Sequence, residues 1–154
     1  MNRPKWREIA YPERKMKKSK LIIDYEFDFS LWGITTSARG YKLAWDINRL
    51  LDVRLVRQPD LVVGFRNSED KSFAYYAYET TLNRLKLFKN RPTDGDPGKY
   101  FLIPEFPHFD FIILAAMEEQ NTEQLADQIR DIPAVELVAS IPLEGLKSKS
   151  NFIF

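Results

Sequence analysis

The sequence predicts an α+β domain, in which a mixed and mainly antiparallel sheet carries two helices on one face. Three observations lead there. Short runs alternate apolar with polar or acidic residues, two longer segments space their apolar residues as a helix does, and the last stretch reads strand, helix, strand. At 154 residues, with 44% hydrophobic and 29% charged positions, the chain is long enough for one compact domain with a sizeable core and too short for two comfortable ones. Residues 1–15 read as a basic, disordered extension and 16–154 as a single domain, with Met16 as a natural beginning just ahead of the first apolar run.

Element by element, Asp24, Tyr25, Glu26, Phe27, Asp28 and Phe29 alternate acid with aromatic, the period of a half-buried strand, and predict a first strand from about Leu21 to Ile34. Thr35 to Gly40 is turn-like. Tyr41, Ala44, Trp45, Asn48 and Leu51 then fall at helical spacing, with Leu43, Ile47 and Leu50 widening the stripe that is expected to be buried. Val53–Val56 and Leu61–Phe65 read as two short strands separated by the turn Gln58-Pro59-Asp60. Phe73–Glu79 and Leu85–Phe88 make a hairpin around Thr80–Asn83. Pro92 to Gly98 is the densest loop signal in the chain, and Tyr100–Ile103 resumes a strand until Pro104 interrupts it. Phe109–Met117 is a nearly continuous apolar strand, Asn121 or Thr122 caps a helix to about Arg130, and Ala134–Ile141 is the closing strand. A right-handed crossover sets those last two strands parallel, adjacent or with one strand between them, in the shape of a ferredoxin-like half. Phe152, Ile153 and Phe154 are costly to leave in water and are expected to dock on the body or on a partner.

Composition removes many chemistries. The absence of cysteine excludes disulfides, thiolate metal sites and cysteine nucleophiles, and the single His108 leaves no second histidine for a two-histidine metal site. The first 20 residues hold eight Lys or Arg against two Glu, a net of +6, so the other 134 carry −5 within a total of +1. That is no broad cationic excess of the kind that drives non-specific nucleic-acid binding. Leu21-Ile22-Ile23 is too short an apolar run for a secretion signal, and no stretch reaches the roughly 18 apolar residues of a membrane span, so a soluble cytoplasmic protein is expected.

Ile103-Pro104-Glu105, three intervening residues, and Phe109-Asp110-Phe111 resemble the motif of the IPExxxVDY family, small bacterial proteins of Bacteroidetes. The similarity extends to Tyr25–Thr36, with Phe29 and Trp32-Gly33-Ile34, to the Tyr41–Asn48 helix, and to the closing Lys147-Ser148-Lys149-Ser150-Asn151-Phe152-Ile153-Phe154. It therefore covers nearly all of 16–154. Phe109 and Phe111 depart from the valine and tyrosine of the motif. The resemblance implies no activity, no cofactor and no catalytic residue.

Glu105, His108 and Asp110 are the acid, base and orienting group an enzyme would use. Against this stands a structural role: Glu105 satisfying donors where Pro104 breaks the strand, and Asp110 anchoring the next strand, with Arg54, Arg57, Arg66 and Arg84 as partners for a buried acid. Asp24, Glu26 and Asp28 share a strand face but sit roughly 7 Å apart, too far to share one cation without curvature. Asp94, Asp96 and Glu105 imitate a calcium loop only in part, since Lys99 replaces the glycine at its sixth position. The six glycines form no phosphate loop or dinucleotide fingerprint. Phe73, Tyr75, Tyr76 and Tyr78, with Arg84, Lys86, Lys89 and Arg91, offer a base-stacking platform, to which Lys17 and Lys18 of the basic tail add phosphate contacts. The leading expectation is a non-catalytic binding or adaptor domain, or a small regulatory domain, that acts on a protein partner, with a homodimer across a sheet edge and without metal or cofactor. An RNA-associated protein using Arg84, Lys86, Lys17 and Lys18, and an enzyme using Glu105, His108 and Asp110, are the rivals.

Overall fold

The computed structural model describes residues 28–66, 68–94, 98–118 and 121–154. In chain order these form β1 (Ser30–Thr36), α1 (Gly40–Leu51), β2 (Val56–Val63), β3 (Lys71–Glu79), β4 (Asn83–Lys89), β5 (Phe111–Met117), α2 (Thr122–Arg130) and β6 (Val135–Ile141), followed by a 3-10 turn at Lys147–Phe152. The strands make one sheet in the order β2-β3-β4-β5-β1-β6, and every neighbouring pair is antiparallel. The fold is α+β, as the sequence patterns predict. The parallel relations lie one strand apart: β5 and β6 flank β1, and β1 and β4 flank β5. These are two interlocked split βαβ units, the ferredoxin-like arrangement, with the β2–β3 hairpin strands extending one side.

Both faces of the sheet are buried. Leu43, Ala44 and Ile47 of α1 and Leu125, Ala126 and Ile129 of α2 pack in one cluster with Trp32, Ile34, Leu85, Leu87, Phe111 and Ile113, so both helices cover the same face. On the other face Leu31, Phe73, Phe88, Ile112, Leu114 and Ile141 are covered by Leu102, Ile103 and Phe109 and by Leu146 and Phe152 near the chain's end. The central position of β5 explains its unbroken apolar run, since alternate residues enter opposite cores. Asn121 is the residue that caps α2, its side chain accepting from Glu123 N at 2.7 Å.

Several expectations give way to tertiary context. The two strands anticipated at Val53–Val56 and Leu61–Phe65 are one, β2, whose pairing with β3 shifts register between Gln58 and Leu61. Pro59 lies in that bulge of an outer strand, where its missing N–H costs no ladder bond. Tyr100–Ile103 is no strand. Leu102 and Ile103 are consecutive and both fully buried, which an alternating strand on one face does not allow. In α1 the buried stripe is Leu43, Ala44 and Ile47, while Tyr41 and Trp45 are 68% and 50% exposed. The expected first strand is described only from Ser30, and residues 21–27, with Asp24 and Glu26, lie outside the described residues. So do the basic extension at 1–15, Lys17, Lys18 and Asp96.

Candidate functional site

The motif residues act as a clasp. Asn90, which follows β4 and is fully buried, accepts from Ile103 N through Oδ1 at 2.8 Å and donates through Nδ2 to Phe106 O at 3.1 Å and Phe109 O at 2.9 Å. Its backbone accepts from Leu102 N and donates to Asp110 O. One side chain thus holds the whole Ile103–Phe109 segment against the sheet, and nothing local in Lys89-Asn90-Arg91 signals it. Pro104 is exposed, and the Ile103 side chain fills the second core.

Glu105 crosses to the chain's end. Its carboxylate accepts from Lys147 N at 2.8 Å, Ser148 N at 3.2 Å and Ser148 Oγ at 2.8 Å, the first free donors of the 3-10 turn. Asn151 Nδ2 completes the closure on Leu102 O. Partial burial pushes the Glu105 carboxyl up, but bonds from Ser148 Oγ, its own N–H, Lys147 N and Ser148 N together outweigh that and hold it below its ordinary 4.5. A depressed carboxylate stabilises the fold above its unfolded value, and that contribution fades as pH falls through the folded value. Glu105→Gln is therefore expected to speed amide exchange at Lys147 and Ser148 at pH 7, and wild type to approach the variant's rates as pH falls through the folded value, which lies below the ordinary 4.5. The group is largely exposed, so global stability should fall by less than about 1 kcal/mol. Unchanged exchange at both amides would show that the carboxylate does not hold the turn.

Asp110 ties β1 to the segment after β4. Its Oδ2 accepts from Thr36 N at 2.9 Å and its Oδ1 pairs with Arg91 Nη1 at 2.9 Å. The partner is Arg91, two residues after β4, rather than Arg54, Arg57, Arg66 or Arg84. His108 is exposed and rests on Phe109, with ring centroids 4.3 Å apart. Glu105, His108 and Asp110 are thus held by separate partners and form no hydrogen-bonded acid–base set.

Strand alternation splits the aromatic and basic hairpin between the two faces. Phe73, Tyr75, Arg84 and Lys86 fall on the face covered by the chain's end. There Phe154 meets Tyr75 edge-on at 5.6 Å and lies 4.4 Å from Lys86 Nζ, which also pairs with Glu79 at 3.4 Å. Arg84 is paired with Asp28 at 2.8 Å. Neither cation is left free for a phosphate. Of the apolar end, Phe152 is buried on the body, whereas Phe154 touches Tyr75 and Phe88 at this face but stays 59% exposed and Ile153 is exposed, so the expected docking holds for Phe152 alone.

Tyr76, Lys89 and Arg91 go to the helix face, where with Arg39, Tyr41, Thr36, Asp110 and Phe111 they line a cleft of about 510 Å³. It sits where β1 and its parallel counterpart β4 both end and β5 begins, beneath the start of α1. Phe111, buried in the helix-face core, and Tyr76 form its floor below Gly40. Of its three cations, Arg91 is paired with Asp110, whereas Arg39 and Lys89 are exposed and have no carboxylate partner among the described residues. No acidic residue or side-chain cap occupies the first turn of α1, so the Gly40 and Tyr41 N–H groups add to the positive potential. A second, larger cleft of about 730 Å³ at the β3–β4 turn contains three carboxylates, from Asp28, Glu79 and Glu118, and the already paired Arg84. Among the described residues no group of His, Asp or Glu is arranged to hold a metal, and no helix is long and apolar enough to cross a membrane. No protein-family model matches this chain, and no curated protein matches it.

Proposed function

We propose that this chain is a non-catalytic binding domain, cytoplasmic in setting, whose recognition site is the cation-lined cleft beneath the start of α1 and whose ligand presents an anionic group there. The observation that carries this reading is the convergence of Arg39, Lys89 and Arg91 on one cleft whose sole carboxylate, Asp110, already accepts from Arg91 and Thr36 N. A cleft of this volume suits a small ligand or the charged end of a larger one. The motif residues then have two roles. Asn90 and Glu105 keep the clasp closed, and Asp110 orients Arg91 at the edge of the cleft. Ile103-Pro104-Glu105 and Lys147–Phe152, two of the segments that carry the resemblance to the IPExxxVDY proteins, belong to one structural unit.

Titration with inorganic phosphate, followed by NMR at the Gly40 and Tyr41 amides, tests the reading. Saturable shifts are expected, with the affinity about tenfold weaker in Lys89→Ala, which removes a charged donor from an exposed position. Asp110→Asn removes the cleft's negative charge and frees Arg91, so it should bind phosphate more tightly while losing about 1–2 kcal/mol of stability. Phosphate shifts that are absent, or indifferent to Lys89→Ala, would remove the site.

A further inference from the structure

We infer that the outward face of α1 and the cleft at its start form one surface for single-stranded nucleic acid, with a phosphate in the cleft and bases against the exposed aromatic rings of the helix. The inference rests on the anionic-ligand reading above and extends it along the helix. Tyr41 borders the cleft, and Trp45 lies one turn further along the same side of α1. These two large rings are 68% and 50% exposed on a helix that buries Leu43, Ala44 and Ile47 instead. The Trp45 ring has cations for neighbours, with Arg49 Cζ 4.7 Å and Lys42 Nζ 4.9 Å from its centre.

Charge selects the partner. Lys42 is balanced by Asp46 and Arg91 by Asp110, which leaves Arg39, Arg49 and Lys89 without a carboxylate partner among the described residues along this surface. Three cations with no carboxylate partner among the described residues gather here although the chain beyond residue 20 carries a net −5. Cations around exposed rings suit a polyanion whose bases stack, and the oligoglutamate comparison below separates it from an acidic protein partner. Stacking needs unpaired bases, which selects a single strand over a duplex.

The test uses the full chain and a fluorescein-labelled oligouridylate, read by anisotropy. Three phosphate contacts on a single strand predict about 20-fold weaker binding between roughly 50 and 200 mM salt, and Arg49→Gln should lower the logarithmic salt slope by about 0.7. Trp45→Ala, with its fold checked by circular dichroism, should weaken oligouridylate at least about fivefold at an unchanged salt slope, with Trp45→Phe restoring most of it. Inorganic phosphate should bind Trp45→Ala as it binds wild type, whereas Lys89→Ala should weaken both ligands. If oligouridylate fails to bind, ignores Trp45→Ala, or is matched in affinity by an oligoglutamate peptide, the nucleic-acid inference is overturned while the phosphate titration still judges the cleft. Loss of binding in Arg84→Ala but not in Trp45→Ala would move recognition to the opposite face and overturn it as well.

Discussion

Asn90→Ala is expected to lower stability by about 3–5 kcal/mol, which for a chain of this length is a drop of roughly 10–15 °C in Tm by calorimetry. The substitution removes little apolar area. Its cost comes from Ile103 N and Phe109 O, two peptide groups that meet Asn90 in a buried setting and would be left without a partner, whereas Phe106 O is part-buried and still accepts from Phe109 N at 3.4 Å. An unsatisfied buried group costs about 1–3 kcal/mol, and water entering the vacated space recovers part of the sum. Asn90→Asp separates this account from simple loss of packing. It keeps the acceptor for Ile103 N but turns an acceptor toward two carbonyls, so it should be as damaging as alanine at pH 7. Below the raised pKa of that buried carboxyl it should recover, because the protonated form can donate. A loss below about 1 kcal/mol in Asn90→Ala would mean that the segment is held by Leu102, Ile103 and Phe109 packing alone.

The patterns legible in the sequence were those that local spacing decides. The β3–β4 hairpin, the apolar run of β5, and α2 with its Asn121 cap all stand close to where the alternation, the run length and the capping residue place them. The misreadings share a different cause. Whether Pro59 ends a strand or sits in a bulge depends on β2 being outermost, which is a property of strand order. Tyr100–Ile103 has the composition of a strand, but the backbone at Leu102 and Ile103 is taken by Asn90 instead of by a neighbouring strand. In α1, two overlapping apolar stripes satisfy the helical period equally well. The sheet selects Leu43, Ala44 and Ile47, and this leaves Tyr41 and Trp45 outside. The surface proposed for ligand binding is thus made of residues that the period alone assigned to the core.

The candidate site was legible in the same partial way. Asp110 reads as an anchor, and its bonds to Thr36 N and Arg91 make it one, but Arg91 is 19 residues away and across a loop. Glu105 and Ser148 are 43 residues apart, so their closure belongs to the tertiary fold. Arg84, Lys86, Lys89 and Arg91 looked like one basic group in the sequence. Alternation sends the first two beneath or beside the chain's end and the last two into the cleft, where Arg91 pairs with Asp110, so among the described residues only Lys89 of the group stands without a carboxylate.

Gly33→Ala should cost about 2–4 kcal/mol, although it adds one methyl group to a strand. A Cβ at Gly33 would stand less than 3.0 Å from Cγ, Cδ2 and Cε2 of Phe109, whose ring lies flat against the glycine. Neither side has room to give. Gly33 is paired with Ile112 of β5 on one side and Ala139 of β6 on the other, which fixes its backbone. Phe109 is 3% exposed and is backed by Phe106 and His108, at centroid distances of 5.9 and 4.3 Å. Overpacking of a site this constrained costs about 1–3 kcal/mol, occasionally more. Phe109→Val alone should also destabilise, by about 2–4 kcal/mol, through the cavity it opens over the glycine. Because the two losses are opposite errors in filling one space, Gly33→Ala combined with Phe109→Val should be more stable than their sum by about 2 kcal/mol, read as a coupling energy from denaturant unfolding. Strict additivity would place the strain of Gly33→Ala in the strand itself. A positive coupling would show that the bare glycine exists to seat the aromatic ring that closes the motif segment onto β1.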